Sequence, residues 1–200
     1  MGIVNLHPVT DVDAIDSAIS GPLGTMFYSV DITTLSSVDT SGGVTVSSVA
    51  QPIYQVNAYR YVKYTAAVTY AAGQACSWVD ANFLAATNDI SAGFGGSGSV
   101  AGWFAGCAQA VHTQNSFGYL KVFGRQTGVP CTDTGTAITA GVGLVGHATV
   151  DGSVDHHLDT LGTISAALQA QAQRAFAGIA LTATASSSCT LFITPHARMF

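Results

Sequence analysis

The sequence predicts a mainly β protein: a β-barrel or β-sandwich domain with an extended N-terminal arm and at most one or two short helices. From Gln51 onward, short runs rich in Tyr, Val, Thr and Phe are separated by Gly, Asn and Asp, which is typical of strands and turns. There is no Glu, and only 8% of the residues are charged, so the charged faces of long surface helices are missing. A chain of 200 residues is long enough to bury one sizeable core.

Residues 1–50 are predicted to form the arm. This segment is rich in Ser, Thr, Asp and Gly, with scattered apolar residues and a possible short helix around Asp11 to Ile19. It offers little apolar surface for a core, so we expect an extended arm or a few irregular strands. Residues 51–200 are then expected to form the β-rich domain.

The strands of residues 51–200 are predicted from short apolar runs. In QPIYQVNAYRYVKYTA, alternate positions form an apolar face that only Arg60 interrupts: Tyr54, Val56, Ala58, Val62 and Tyr64. CSWV follows as a strand, and AGWFAGCAQAV and FGYLKVFG, separated by HTQNS, predict a hairpin. Further strands are predicted in TAITAG, GLVGHATV, AFAGIALTAT and CTLFITP. Helical spacing is found at Leu158 to Arg174, weakened by Gly162.

Composition also narrows the classes of function. The net charge is −5, and the six Lys and Arg residues are scattered, which argues against nucleic-acid binding. The apolar runs are too short for a membrane-spanning helix, so no membrane partner is expected. Without Glu, HExxH metalloproteases, EF-hand loops and Glu-based acid/base pairs are excluded. Low charge leaves little repulsion between copies, which favours assembly.

The stretch AGVGLVGHATVDG contains a literal match to the GxGxxG pattern of dinucleotide-binding loops, at Gly141, Gly143 and Gly146. In such loops the third glycine opens a helix whose N-terminus holds the pyrophosphate. Here a β-branched run and a turn dipeptide follow instead. The glycines are therefore interpreted as turn and strand-end positions between Ile138 and Val150. The loop GFGGSGS lacks the lysine of a P-loop. No cofactor is predicted.

Possible metal ligands are densest near the C-terminal third of the chain: His147, Asp151, Asp155, His156, His157 and Asp159. Neighbouring His side chains usually point in different directions, so the preferred interpretation is a polar, pH-sensitive surface at a helix start, with Asp155 as a cap. No GxSxG elbow selects a nucleophile. We therefore assign no catalytic, cofactor-binding or metal-binding residue and expect no enzyme.

Two other features have structural interpretations. The aromatic-basic stretch YRYVKY is interpreted as a core strand whose Arg60 and Lys63 extend to the surface, in preference to a platform for single-stranded nucleic acid. The four cysteines, which form no CxxC pair, are expected to be buried free thiols, with pairing in space left open: Cys76, Cys107, Cys131 and Cys189.

Three segments carry a resemblance to a known group of proteins: YRYVKYTAAVTYAAGQACSW, AGCAQAVHTQNSFGYLKVFGRQTG and AFAGIALTATASSSCTLFITP. Their order and rough spacing across residues 50–195 resemble head decoration (cement) and related capsid-associated proteins of tailed bacteriophages. In those proteins a Tyr-Val-Lys type strand leads to an Ala-Gly-Gln turn. A central glycine-containing hairpin and two closing apolar strands follow.

The resemblance implies a structural virion protein, without catalytic residues, that binds and stabilises the phage capsid shell. Its partner would be the major capsid protein, and it would form a homo-oligomer, with a trimer favoured. Its acidic charge suits the outer face of the virion capsid better than the side facing DNA. The protein would be made in the host cytoplasm, and the arm would become ordered on the shell or on a sister subunit.

Two alternatives stay open at the level of sequence. The first is a phage tail or host-attachment protein that binds carbohydrate, in which aromatic side chains such as Trp78, Trp103 and Tyr119 face solvent. The second is a hydrolase, which needs a pocket that joins a nucleophile, a His and an Asp.

Overall fold

A computed structural model describes residues 21–34, 52–65, 69–79, 82–90, 103–133, 137–147, 149–157, 176–184 and 187–194. The strands are β1 Met26–Thr34, β2 Pro52–Tyr64, β3 Ala75–Trp78, β4 Ala85–Thr87, β5 Phe104–Ala108, β6 Phe117–Pro130, β7 Gly143–Gly146, β8 Val154–His156, β9 Phe176–Ala180 and β10 Ser188–Ile193. The mainly β prediction is confirmed. Within these residues, no helix is long and apolar enough to cross a membrane.

Most of the predicted strands are present, with one clear error. The hairpin is confirmed, because β5 and β6 are antiparallel neighbours with Cys107 opposite Lys121. TAITAG is wrong as a strand: residues 137–141 carry no strand and end in a turn, where Gly141 has φ +91°. Its apolar Ile138 is buried by packing from an irregular segment. The helices predicted at 11–19 and 158–174 and the loop GFGGSGS lie outside the described residues.

The described part of the predicted arm contains a regular strand. β1 pairs antiparallel with β2 over nine residue pairs, from Met26 opposite Arg60 to Thr34 opposite Pro52. Residues 26–34 are therefore hydrogen-bonded to the first strand of the β-rich domain. The rest of the arm, residues 1–20 and 35–50, lies outside the described residues.

Five strands close into a ring. β2 pairs with β4 in parallel, and antiparallel pairs then join β4 to β3, β3 to β5, β5 to β6 and β6 back to β2. Full closure leaves no free edge within the ring. The core it encloses consists of Ala58, Val62, Tyr64, Tyr70, Cys76, Trp78, Ala86, Ala105, Ala108, Leu120 and Val122.

A second ring begins on the same long strand, β6. From Gly124 onward β6 pairs with β10, and antiparallel pairs continue from β10 to β9, β9 to β7 and β7 to β8. A parallel bridge between Cys131 and Val154 returns β8 to the end of β6. β6 is thus the last strand of the first ring and the first strand of the second.

The two rings repeat one plan. FAGCA in β5 and FAGIA in β9 carry glycines with the same unusual backbone, φ +145° at Gly106 and at Gly178. In both rings a turn glycine donates its N–H to the carbonyl of the last alanine of this motif, at 2.8 Å: Gly73, before β3, to Ala108, and Gly141, before β7, to Ala180. The strand order, the turn glycine and the strand glycine with positive φ therefore recur together.

The interiors of the rings correspond position by position but are filled differently. Trp78 on β3, which is fully buried, fills the first ring, and the corresponding position on β7 is Gly146. A Cβ atom on Gly146 would lie 2.6 Å from Cγ2 of Ile90. Ile90, from the segment after β4, thus occupies the space in the second ring that an indole fills in the first.

The rings also share a wall. Every residue of β3 and β5 is buried, because one face lines the first ring and the other contributes Ala75, Phe104 and Cys107 to the second core. The turn before β8 joins this wall by hydrogen bonds: Gly152 donates to Asn88 O at 2.8 Å and accepts from Ala75 N at 2.9 Å. The two rings are consequently packed as one body.

The predicted apolar face of β2 is only partly correct. Ala58, Val62 and Tyr64 are buried, but Val56 is 43% exposed. On the opposite face Tyr61 is also buried and packs against the rings of Phe117 and Tyr119. Strict alternation fails because residues 58–64 are buried on both faces, whereas Val56 lies where β2 pairs with β1 and one face is open.

Candidate functional site

Of the possible metal ligands that the sequence singles out, His147 and Asp155 come close together, and both side chains are buried. His147 follows β7, and its Nδ1 accepts hydrogen bonds from the N–H of Thr149 at 3.0 Å and of Val150 at 2.8 Å. Its Nε2 lies 3.8 Å from Oδ2 of Asp155. Both side chains are nearly inaccessible to solvent, and the ring of His147 holds the turn after β7 through its two backbone hydrogen bonds.

The neighbouring histidines also bond to backbone or stack. Asp155 Oδ1 accepts a 2.7 Å hydrogen bond from the N–H of His156. The rings of His156 and His157 stack with centroids 5.1 Å apart, and His157 Nδ1 lies 3.1 Å from the carbonyl of Gly143, to which it donates. The predicted polar surface is therefore wrong for Asp155 and His156, which are buried on β8.

The remaining candidate ligands do not extend this cluster. Asp151 is exposed in the turn between β7 and β8, and Asp159 lies outside the described residues. Among the residues that the structure describes, no group of three or more His, Cys, Asp or Glu side chains is arranged to hold a metal ion.

The GxGxxG stretch forms a turn and a strand. Gly141 makes the turn, and Gly143 starts β7. A Cβ atom on Gly143 would lie only 3.0 Å from the ring of Phe176, and the absence of a side chain at Gly146 leaves room for Ile90. β8 follows through the turn at 149–152, so the interpretation as turn and strand positions is confirmed. A nucleotide loop requires a helix where β8 lies.

Two basic residues of the sheet pack on aromatic rings: Arg60 of the YRYVKY stretch and Lys121 of β6. The Arg60 guanidinium lies 5.4 Å from the ring centroid of Trp78, and the Lys121 ammonium lies 5.3 Å from that of Tyr59. Lys121 also donates to the carbonyl of Arg125 at 3.0 Å. These contacts hold both charges against the sheet. Arg60 and Lys63, the two basic residues of the stretch, are half-buried on β2.

The aromatic side chains named for a carbohydrate platform are not laid out as one. Trp78 is fully buried, in edge-to-face contact with Phe83, and Trp103 and Tyr119 are half-buried. Tyr119 packs against Phe27 with ring centroids 5.0 Å apart. Trp78 belongs to the core of the first ring, Trp103 packs against that core, and Tyr119 lies on the sheet formed by β1, β2 and β6.

Two groups of exposed apolar side chains lie on strands or directly after them. Tyr28 and Val30 of β1, 41% and 54% exposed, share one face with Val56, which lies opposite Val30. We call these three residues the β1 patch. The second group, the β9 patch, consists of Ile179, Leu181 and the cross-strand neighbour Phe192; Ile179 and Leu181 are each more than 40% exposed. The sequence does not reveal either patch, because the exposure of a strand residue depends on which face of the folded sheet is covered: β1 ends the described sheet, whereas β9 lies between β10 and β7.

The cysteines are four buried free thiols, as predicted. Complete burial raises the pKa of Cys76 and of Cys107. The Cys131 thiol donates to the carbonyl of Val129 at 3.2 Å. Its interaction with the thiol of Cys189 raises the pKa of Cys131 and lowers that of Cys189.

Comparisons with known proteins gave no match to any family model, curated protein or solved structure. Function is therefore inferred from the geometry of this chain and from its sequence.

Proposed function

We propose that the protein is a structural component of a phage virion that binds the major capsid protein on the outer face of the shell and stabilises it, as a homo-oligomer and without catalysis. The observation that carries this proposal is the division between the interior and the surface. The buried ring of His147 holds a turn and the buried carboxylate of Asp155 accepts from the N–H of His156 in β8, while apolar side chains such as Val30 and Ile179 are exposed on strands. That distribution suits a protein that acts through its surface.

The β9 patch is the surface we assign to the shell. Leu181, directly after β9, continues the pairing with β10 by donating to the carbonyl of Thr190 at 2.7 Å. Ile179 and Leu181, two residues apart, therefore project from the same side of the chain, and Phe192 lies opposite Ile179 on β10. The ring of Phe192 is fixed by edge-to-face packing on Phe123, with centroids 5.4 Å apart. A rigid apolar patch loses little side-chain freedom when a partner covers it.

The two closed rings of strands also support a role in binding the capsid shell. Two closed rings that share a strand and a wall form a rigid body, and closure leaves few free edges for indiscriminate strand pairing. The chain has eleven acidic and six basic residues, so contacts with a capsid subunit would be mainly apolar and backbone contacts. Interfaces of roughly 1,600 Å² are stable on such contacts.

The position and copy number of the chain in purified phage particles test this proposal. Quantitative mass spectrometry and electron microscopy should find many copies at regular positions of the shell. A few copies at the tail tip would contradict the proposal and favour the tail or host-attachment alternative, and absence from particles would refute both.

Variants of the β9 patch test the assigned surface. In particles, Leu181→Asp should lower the bound copy number by about tenfold, because burying the carboxylate costs more than about 1.4 kcal/mol. Val111→Asp is the matched control, since Val111 is 55% exposed and lies between β5 and β6, away from the patch. Equal loss for both variants would refute the assignment.

A further inference from the structure

The four cysteines form two pairs on neighbouring strands, and only one of these pairs shares a core. Cys76 on β3 and Cys107 on β5 lie on paired strands, with Cys107 opposite Ala75. Because neighbouring residues of a strand point to opposite faces, Cys76 faces the core of the first ring and Cys107 faces that of the second. The wall between the two rings therefore separates these two thiols.

Cys131 and Cys189, by contrast, face the same core. Cys189 of β10 lies opposite Val129 of β6, and Cys131 follows Val129 by two residues, directly after the end of β6. The N–H of Cys131 donates to the carbonyl of Ser187 at 2.9 Å, so the antiparallel pairing continues as far as Cys131. The two cysteines are thus diagonal neighbours on one face of the strand pair, and both belong to the core of the second ring.

The sulfur of Cys131 is directed along this diagonal toward Cys189. Its Sγ lies 3.2 Å from the carbonyl oxygen of Val129, which is the residue opposite Cys189. Diagonal neighbours lie farther apart than directly opposite residues, and this direction of the side chain shortens the separation of the two sulfurs. Of the four cysteines, these two are therefore the pair placed to form a disulfide.

The same two sulfurs are also the more accessible ones. Cys131 is 5% exposed and Cys189 is 4% exposed, whereas Cys76 and Cys107 are 0% exposed. A small oxidant such as hydrogen peroxide reaches a sulfur just below the surface more readily than one that is fully enclosed. The interaction with Cys131 lowers the pKa of Cys189, which favours the thiolate, the form of the thiol that reacts.

We infer that Cys131 and Cys189 are a redox-sensitive pair that forms a disulfide when the folded protein meets a peroxide. The Cys189 thiolate attacks hydrogen peroxide and becomes a sulfenic acid, and hydroxide is released. The sulfur of Cys131 then attacks the sulfur of Cys189 and loses its proton, and water leaves. Two thiols and one peroxide thus give one disulfide and two waters, and the two electrons that the sulfurs lose reduce the peroxide.

This disulfide closes the second ring covalently. β8 returns to the end of β6 at Cys131, through the bridge to Val154 and the 3.0 Å hydrogen bond from the N–H of Thr132 to the carbonyl of Val154. A bond from Cys131 to Cys189 ties β10 to the same point. Because the cross-link also restricts the unfolded chain, the oxidised protein should unfold about 5 to 10 °C above the reduced one. The inference goes beyond the proposed function and does not depend on it.

Oxidation of the purified full chain under native conditions tests the inference. Hydrogen peroxide should lower the number of free thiols from four to two, and peptide mapping without reductant should recover Cys131 linked to Cys189. A reductant should restore the four thiols and the original unfolding temperature. Linkage of any other pair, covalent dimers in place of the internal bond, or four thiols still free after oxidation would overturn the inference.

Serine variants separate disulfide formation from the loss of a sulfur. In Cys131→Ser, Cys189 has no partner, so it should stop at the sulfenic acid, which dimedone labels, and peroxide should not raise the unfolding temperature. Cys107→Ser is the matched control, because it removes a thiol from the same core and should still form the bond. A rise in Cys131→Ser, or no bond in Cys107→Ser, would contradict the inference. The wild-type comparison holds whether or not either variant folds.

Discussion

The two rings share a strand order but differ in how they are filled. The first ring is filled by aromatic side chains on its own strands and segments, with Tyr64 stacked on His112 and in edge-to-face contact with Tyr70. The second ring has small and aliphatic residues on its strands and takes Ile90 from outside. One backbone plan therefore accepts two cores, provided that the total volume is conserved.

The difference in filling predicts the largest effects on stability. Trp78→Ala should lower the free energy of unfolding by about 4 kcal/mol and Ile90→Ala by about 3 kcal/mol, because each leaves a cavity in its own ring. Chemical denaturation measures both. Gly146→Val should rescue Ile90→Ala by refilling that space, although alone it collides with Ile90. If the double variant were no more stable than Ile90→Ala, Ile90 would not be the filler.

The shared plan predicts equal effects at the paired glycines. A Cβ atom on Gly106 would collide with the carbonyl of Lys121, and one on Gly178 with the carbonyl of Phe192, both at φ +145°. Gly106→Ala and Gly178→Ala should therefore each cost about 3 kcal/mol. Gly128→Ala is the control: φ is +67° but no atom lies within 4 Å, so about 1 kcal/mol is expected. Unequal effects at the first two sites would break the correspondence.

The turns after β3 and β7 predict a smaller difference. His147 holds two backbone N–H groups, whereas Val79, which corresponds to it in the first ring, is 42% exposed. His147→Ala should cost about 2 kcal/mol because both donors lose their acceptor, and His147→Asn should restore part of this through its Oδ1. Val79→Ala should stay within about 0.5 kcal/mol of the wild type. Thermal unfolding of the three variants tests the role of the Nδ1 acceptor.

The four cysteines should differ in their reactivity toward an alkylating reagent in the native protein. The pKa of Cys189 is lowered and those of Cys76, Cys107 and Cys131 are raised, so at pH 8 the largest thiolate fraction is on Cys189. Peptide mapping after brief alkylation of the native protein should find Cys189 modified first. Cys131→Ser keeps a donor beside Cys189 and serves as the matched variant. Earlier modification of Cys76 or Cys107 would contradict the burial described.

Features that depend on residues close together in the sequence could be predicted from the sequence. The β content, the β5–β6 hairpin and the turn at Gly141 follow from Tyr, Val and Phe runs broken by glycine. The closure of the rings did not follow, because it depends on long-range pairs such as β2 with β4. The recurrence of FAGCA as FAGIA is visible in the sequence, but divergence such as Trp78 to Gly146 conceals the rest of the repeat.

The candidate surfaces were harder to predict for the same reason. Asp155 and His156 are polar residues in a turn-rich segment, which suggests exposure, yet β8 is buried by its pairing in the second ring. Val30 and Ile179 are apolar residues in strands, which suggests burial, yet their side chains face outward. In each case the sheet order, which is a property of the whole chain, decides the exposure.

The two rings share β6 and the wall of β3 and β5 and should therefore unfold together, which native-state hydrogen exchange tests most directly. Amides of β6 in the first ring, such as that of Leu120, and in the second, such as that of Val129, should exchange with one free energy and one denaturant dependence. Those of β3 and β9 should follow them. If the second ring exchanged at a distinctly lower free energy than the first, the rings would be separate cooperative units and the claim would be contradicted.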